Sequence, residues 1–433
     1  MSPQQTRTIE VASITRVEGE GALKVVLENE KVVDVQLAIY EPPRFFEALL
    51  RGRPVEDTPD ITARICGICP IAYQMTAVHA LEVALGIEIT PEIRELRKLL
   101  YCGEWIESHG VHMHLLHIPD FFHCHSSIEL AKIYPAEVNR GLQLKKIGNH
   151  LLEVLGGRAV HPVNVTVGGF FRAPTRAELY SLVNELKWGL DAAIDVARWV
   201  ADFTFPEFVG DYEMVALCHD TEYPMNEGDI VSTGGLRVAA CDFEQSFVER
   251  HVRHSTALQA VRLPAETAYC VGPLARMNLN RDKLATTARQ LSDDLGFDWP
   301  CFNPYASIVA RALEVVHAFE VALNIVQEYR GCTPARLKYK YRDGEGAWAT
   351  EAPRGLIYHR YRVCSDGTLA FAKIVPPTSQ NQRQIELDLA AYLPRLLSSD
   401  DATIALECEK LIRSYDPCIS CATHFLKLEM QRR

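Results

Sequence analysis

Two short cysteine pairs near opposite ends of the chain set the tightest limit on what it can fold into. One lies in Arg64-Ile65-Cys66-Gly67-Ile68-Cys69-Pro70, the other in Asp416-Pro417-Cys418-Ile419-Ser420-Cys421. Two residues between cysteines let both sulfurs reach one metal, because the turn between them brings the thiolates to tetrahedral distance. Zinc ribbons and fingers leave about 15–20 residues between their pairs and fold around the metal locally. Here most of the chain intervenes, so the core itself must bring the pairs together. A shared site would then be a buried catalytic metal rather than a small structural zinc. Spacing alone leaves a second reading equally open: two unrelated pairs, one of them a redox dithiol.

Nine further cysteines, Cys102, Cys124, Cys218, Cys241, Cys270, Cys301, Cys332, Cys364 and Cys408, are isolated and read as small buried hydrophobes. A net charge of −11 argues against nucleic acid, which needs a basic surface to release counterions. No apolar run approaches the ~20 residues needed to cross a bilayer. The start, MSPQQTRTIEVAS, lacks a charged region followed by an apolar core, so the expected location is the cytoplasm. Neither GxGxxG after a strand nor GxxxxGK[ST] occurs, so any nicotinamide or nucleotide chemistry would sit on another chain.

The pattern predicts one α+β unit over residues 1–433, a central bundle of long helices with peripheral β-sheets. Residues 7–40 read as β structure with a Glu-Asn-Glu turn. A helical core is expected over about 70–330. Pro70 suits a first helical position and Gly86 the end of that helix. A second helix is expected after Thr90-Pro91, with others near 136–155, 175–202, 281–294, 304–330 and 383–413. Residues 354–424 form the expected β and metal-binding region, with Ser365-Asp366-Gly367 as a hairpin turn. The segment from Ser414 onward reads as irregular.

The motifs themselves carry a resemblance. RICGICP and DPCISCATH closely resemble the two signatures of nickel–iron hydrogenase large subunits. Arg16-Val17-Glu18-Gly19, EPPRFFEALLRGRP, GGRAVHPVNVTVGGF, EAPRG and IVPPTSQN recur in the family's order, so the likeness covers nearly the whole chain. The related subunit of complex I has lost the four cysteines, which excludes that branch. The phrasing is most similar to the cytoplasmic NAD(P)-linked bidirectional hydrogenases, or sulfhydrogenases.

By that resemblance Cys66 and Cys418 are terminal nickel ligands, and Cys69 and Cys421 bridge nickel and an iron that carries carbon monoxide and two cyanides. Soft thiolates suit both metals. Four thiolates cancel two divalent metals, so two cyanides leave a buried anion that needs donors and a cation. The resemblance implies Arg354 as that cation over the open metal site, paired with Asp416. It implies Pro377 and Thr378 as partners of the cyanides, and Cys418 followed by Glu18 as the proton route. Glu47, the backbone carbonyl of Ile374 and His424 would hold a magnesium (or iron) ion. Two departures stand out: Tyr73 replaces a histidine that contacts a bridging sulfur, and Ser108 replaces an aspartate. His109 and His112 are expected to donate hydrogen bonds near the site, whereas His114, His117, His123 and His125 read as packing or surface residues.

The implied activity is reversible cleavage of dihydrogen to protons and electrons. No cysteine cluster remains for iron–sulfur centres, so an iron–sulfur small subunit is implied, with flavin- and NAD(P)-binding subunits beyond it. Nickel-insertion proteins and a maturation protease that removes residues 425–433 follow from the same resemblance. The competing readings are a deazaflavin acceptor, a dihydrogen sensor, and a non-catalytic zinc-bound scaffold.

Overall fold

The computed structural model describes residues 6–423. The chain opens with an antiparallel sheet of Thr6–Val11, Gly21–Glu28 and Lys31–Ile39, in that spatial order. The last two strands are joined through Asn29 and Glu30, both at positive φ (50° and 60°), the two-residue turn whose twist matches the strands. Alternation puts Leu23, Val25 and Leu27 on the inner face. They pack with Ile385 and Leu389 of the Pro377–Tyr392 helix and Leu411 and Ile412 of the Asp401–Ser414 helix. This second, smaller core fastens the N-terminal sheet to the segment that leads into the C-terminal cysteine pair.

The main core is a bundle of the helices Pro70–Leu85, Pro91–Val111, Pro135–Gly156, Val183–Ala201 and Ser307–Glu328. Three begin with proline at the first position, where its missing N–H costs nothing. Every residue of Pro70–Leu85 except Val83 is buried, including Gln74, Thr76, His79 and Glu82, as in a helix packed on every side. Gly86 ends it at φ 68°. Pro91–Val111 and Pro135–Gly156 touch backbone to backbone. A Cβ at Gly148 would fall 2.7 Å from the Gly103 carbonyl and 2.8 Å from the Glu107 amide, so only glycine permits this approach.

The helical expectations need four corrections. The 175–202 helix is two, Arg176–Tyr180 and Val183–Ala201, because the Ser181 hydroxyl donates to the Glu178 carbonyl at 2.6 Å and turns the chain. The 383–413 helix is also two. Pro394 cannot continue the first, and the Asp400 side chain, accepting from the Thr403 amide at 2.8 Å, starts the second. The 70–330 stretch contains small sheets as well: Val215–Cys218, Asp229–Ser232 and Arg237–Val238 form one, and Phe247–His251 and Leu258–Arg262 another. The C-terminal segment is not wholly irregular, since Ile419–Ala422 is a short helix.

The expected hairpin of Gly355–Val363 and Leu369–Val375 is present, and Gly344–Ala352 adds a third strand that the sequence pattern does not reveal. Ala352 pairs with Gly355, so Pro353 and Arg354 form the two-residue tip of that hairpin. Not all of the nine isolated cysteines are buried. Cys241 is exposed, and Cys218, Cys301 and Cys364 are partly exposed on loops and strand ends at the surface.

Past Val111 the second helix widens into a π-turn, His112–His117. His114 and His117 are buried there, and both nitrogens of His117 lack a hydrogen-bond partner among the described residues. Burial holds their pKa values down to about 4 and about 3. An unfolded imidazole titrates near 6.5. Above that pH both states are neutral. Below it the unfolded chain takes up protons that the folded chain refuses, so stability falls until the folded values are reached. The expected loss is about 2 kcal/mol per ring at pH 5. The melting temperature of the chain should therefore decline between pH 6.5 and 5, with proton uptake on unfolding. An unchanged melting temperature across that window would contradict it.

Candidate metal centre

The two cysteine pairs meet in the interior. Cys66 Sγ lies 3.5 Å from Cys418 Sγ, Cys69 Sγ 3.7 Å from Cys421 Sγ, and Cys418 Sγ 2.8 Å from Cys421 Sγ. All four sulfurs fall within 4.8 Å of one another, and all are buried. A cysteine of each pair caps a helix start, and Cys421 lies within the second of these helices. Cys69 stands just before Pro70–Leu85 and Cys418 just before Ile419–Ala422. The first turn of the long helix is held by Glu104, whose carboxylate accepts from the Ile71 amide at 2.6 Å and the Ala72 amide at 3.1 Å. Arg44 ties the two loops together, donating one guanidinium nitrogen to the Ile65 carbonyl at 2.7 Å and to the Ser420 carbonyl. Arg44 lies in the EPPRFFEALLRGRP segment, but its residue type and neighbours do not name these partners. A guanidinium partnered by carbonyls distant in sequence leaves no local signal.

The protonation of the group is uneven. Hydrogen bonds from Cys418, Cys421 and Cys69 hold the Cys66 thiol well below its ordinary value despite burial, with Arg354 helping. Burial pushes the Cys418 thiol well up. Loading a divalent metal would thus release protons from the remaining thiols.

Around this group the structure brings together most of the residues named from the sequence. Glu18 is fixed by its backbone, whose carbonyl accepts from the Ile419 amide at 2.9 Å. Its carboxylate accepts from the Ser420 amide at 3.1 Å and lies 3.1 Å from Cys418 Sγ. The Thr378 hydroxyl accepts from the Cys418 amide at 3.0 Å, which leaves its own hydrogen free to donate elsewhere. Pro377 opens the helix that carries it and is likewise buried. Arg354 donates from Nε to the Asp416 carbonyl at 2.8 Å and from Nη2 to Asp416 Oδ1 at 3.0 Å. Its Nη1 is buried with no partner among the described residues. Burial alone would lower the Arg354 pKa, but Asp416 and the thiols Cys418, Cys69 and Cys66 hold it well above its usual value. Asp416 meets it in the left-handed conformation at φ 54°, a strained setting typical of functional sites.

Glu47 is buried and accepts from the Ile374 amide at 2.8 Å; this contact is to the Ile374 N–H and not to the carbonyl expected as a magnesium ligand. His424, the third, lies outside the described residues, as do residues 425–433. Tyr73 is fully buried, and its hydroxyl has no partner among the described residues; Ser108 Oγ is in the same position. His109 Nε2 is 2.9 Å from Glu314 Oε2, and His112 Nε2 is 2.8 Å from the Arg413 carbonyl and 3.9 Å from Asp416 Oδ1. His123 and His125 lie at the surface, as expected from the sequence.

Four soft donors in one pocket and a buried guanidinium with an unused amino group suit a thiolate-ligated metal with further anionic character. Comparison with known proteins agrees. A family model described as nickel-dependent hydrogenase matches residues 44–139 and 261–424. The alpha chain of sulfhydrogenase 2 from Pyrococcus furiosus is 34% identical over 97% of this chain and 100% of its own. The corresponding chain of an F420-non-reducing hydrogenase from Methanothermobacter marburgensis is 26% identical over 96% of this chain and 95% of its own. Among solved structures, an NAD+-reducing [NiFe]-hydrogenase in the H2-reduced state has the same fold, with a TM-score of 0.88 at 23% identity over 96% of this chain and 99% of that one. The Ni-Fe-Se hydrogenase from D. vulgaris Hildenborough follows at a TM-score of 0.77 and 24% identity, over 97% and 100%. The fold, the joined cysteine pairs and this similarity along the whole chain lead to one conclusion: the chain belongs to the nickel-dependent hydrogenases, as the large, catalytic component.

Proposed function

We propose that Cys66, Cys69, Cys418 and Cys421 hold nickel and an iron; Cys66 and Cys418 would serve nickel, and Cys69 and Cys421 would serve both metals. The iron would carry carbon monoxide and two cyanides, with Pro377 packed beside them and the Thr378 hydroxyl, whose hydrogen is not used on Cys418, as the donor. When bound, the metal pair polarises dihydrogen and accepts its electrons. The observation that carries this reading is the unpartnered Nη1 of Arg354, a buried cation anchored at Asp416 with donors to spare beside four thiols. Arg354 would offset the negative charge of the loaded site and stabilise charge as it separates. Metal analysis finding nickel and iron near one each, with infrared bands from carbon monoxide and cyanide, tests it. Zinc alone in an active preparation would overturn it.

The proton released on cleavage passes first to the Cys418 sulfur and then to Glu18, whose carboxylate is within hydrogen-bond reach of it. Glu18→Gln keeps the shape and the contact with the Ser420 amide but cannot relay a proton. Turnover and isotope exchange with solvent should both fall, by about a hundredfold to ten-thousandfold, with the metals still bound. Exchange at the wild-type rate in that variant would mean the proton leaves by another route.

A magnesium (or iron) ion at Glu47, the Ile374 carbonyl and His424 would brace the base of the site. Electrons leave through an iron–sulfur small subunit, to or from NAD(P) on flavin-containing partners in the cytoplasm. Similarity to sulfhydrogenases and to the fold of an NAD+-reducing enzyme favours this acceptor over a deazaflavin or a sensory role. Reduction of NAD+ or NADP+ by dihydrogen in the purified complex checks it. In the described residues no helix is long and apolar enough to cross a membrane.

A further inference from the structure

Arg354 sits at the tip of a two-residue hairpin, a place where side chains ordinarily have freedom. Here the tip is gripped from below by a second arginine. Arg276 is fully buried, and all five of its N–H donors are used. Nη1 donates to the Ala352 carbonyl at 2.8 Å and Nη2 to the Pro353 carbonyl at 2.9 Å, the two carbonyls just before Arg354. The remaining donors go to Glu314 (2.7 Å from both Nε and Nη2) and to Glu351 Oε2 at 3.0 Å. Its guanidinium lies over Trp105, 4.5 Å from the ring centroid, and the Trp105 indole donates to the Glu351 carbonyl at 3.1 Å. Three successive carbonyls, at 351, 352 and 353, are thus fixed by one stacked pair.

No local turn chemistry requires this. The pair of carboxylates on Arg276 neutralises and orients it, and the oriented donors hold the backbone beneath Arg354. We propose that Arg276 is the positioning residue for Arg354, holding its guanidinium at the height over the four cysteines that dihydrogen cleavage needs. This rests on the role of Arg354 in the proposed function. Arg276 makes no hydrogen bond to the cysteines; its contact with the segment that carries Arg354 is the hairpin tip.

The test uses the assembled, nickel-loaded enzyme. Arg276→Lys keeps a charge but has three donors and no plane, so it cannot hold both carbonyls and both carboxylates. Dihydrogen–solvent isotope exchange should fall about a hundredfold, the effect of a displacement near 1 Å. Nickel content and the KM for dihydrogen should not change, and amide exchange in residues 351–356 should speed up. The decisive measurement is a double-mutant cycle. Combined with Arg354→Lys, Arg276→Lys should cost nothing further, because its effect passes through Arg354. Multiplied losses in the double variant, or wild-type exchange in Arg276→Lys, would overturn the proposal. If Arg276→Lys fails to retain nickel, Trp105→Phe takes its place. It keeps an aromatic ring at Arg276 while removing the indole donor and part of the ring, and should cost severalfold alone and nothing beside Arg354→Lys. Additive loss there overturns the proposal. An Arg354→Lys enzyme at the wild-type rate would instead overturn the role of Arg354, and this proposal with it. A slow Arg354→Lys beside an additive partner overturns the positioning role alone.

Discussion

Cys418→Ser should abolish dihydrogen uptake and strip nickel from the protein. Cys418 joins the cysteine group to Glu18. Its sulfur lies within 3.5 Å of Cys66 Sγ, 2.8 Å of Cys421 Sγ and 3.1 Å of Glu18 Oε2. Serine keeps the backbone contacts, including the amide donated to Thr378, so the loop should still fold. What disappears is the thiolate. A hydroxyl does not ionise in this range, and its oxygen is a hard donor that soft transition metals disfavour. The same change removes the sulfur next to Glu18, so nickel affinity and proton transfer fail together. Nickel measured by mass spectrometry and hydrogen uptake by the purified complex check both halves. A fully active variant with wild-type nickel would remove Cys418 from the site.

Much of this site is legible before any coordinates, because its ligands sit in short motifs. RICGICP and DPCISCATH each fix a pair, and Pro70 marks the helix that starts beside the first. The Asn29-Glu30 turn and the Gly86 helix end are legible for the same reason, since each depends on two or three neighbouring residues. The failures lie where distant contacts decide. Gly344–Ala352, GEGAWATEA, has two glycines and little β-branching, and is a strand only because the Pro70–Leu85 helix packs against it. Gly346 admits that helix at a distance no side chain would tolerate. Without this strand Arg354 reads as a loop residue, and the hairpin that presents it stays hidden. Arg276 and Glu314 are equally invisible, and Glu351, although it opens EAPRG, gives no sign of its partner. Charged residues on helices and strands usually face water, and only the fold brings these three together in the dry core. Local motifs therefore carry the identity of the atoms around the metal, while the devices that hold them in place come from the packing.

Arg354→Lys should lower the rate of dihydrogen cleavage by several powers of ten while leaving nickel bound. Each tenfold loss corresponds to about 1.4 kcal/mol of barrier. The substitution retains the positive charge, so a site that needed only neutralisation would tolerate it. Geometry argues that it needs more. The guanidinium reaches the Asp416 carbonyl with Nε and the Asp416 carboxylate with Nη2, and still leaves Nη1 unspent. A lysine ammonium is one point at the end of a flexible stem, and it must choose between Asp416 and the space above the cysteines. If it bonds Asp416, the charge moves away from the reacting molecule. If it turns to the cysteines, the buried Asp416 carboxylate loses its hydrogen-bonded cation, costing several kcal/mol. Either arrangement loses stabilisation that is present only as charge separates, so turnover falls more than affinity for dihydrogen. Purified Arg354→Lys complex with wild-type nickel, an unchanged KM and turnover reduced about a thousandfold or more is the expected result. Wild-type turnover would show that charge alone suffices, and that the planar fork held by Asp416 has no part in the reaction.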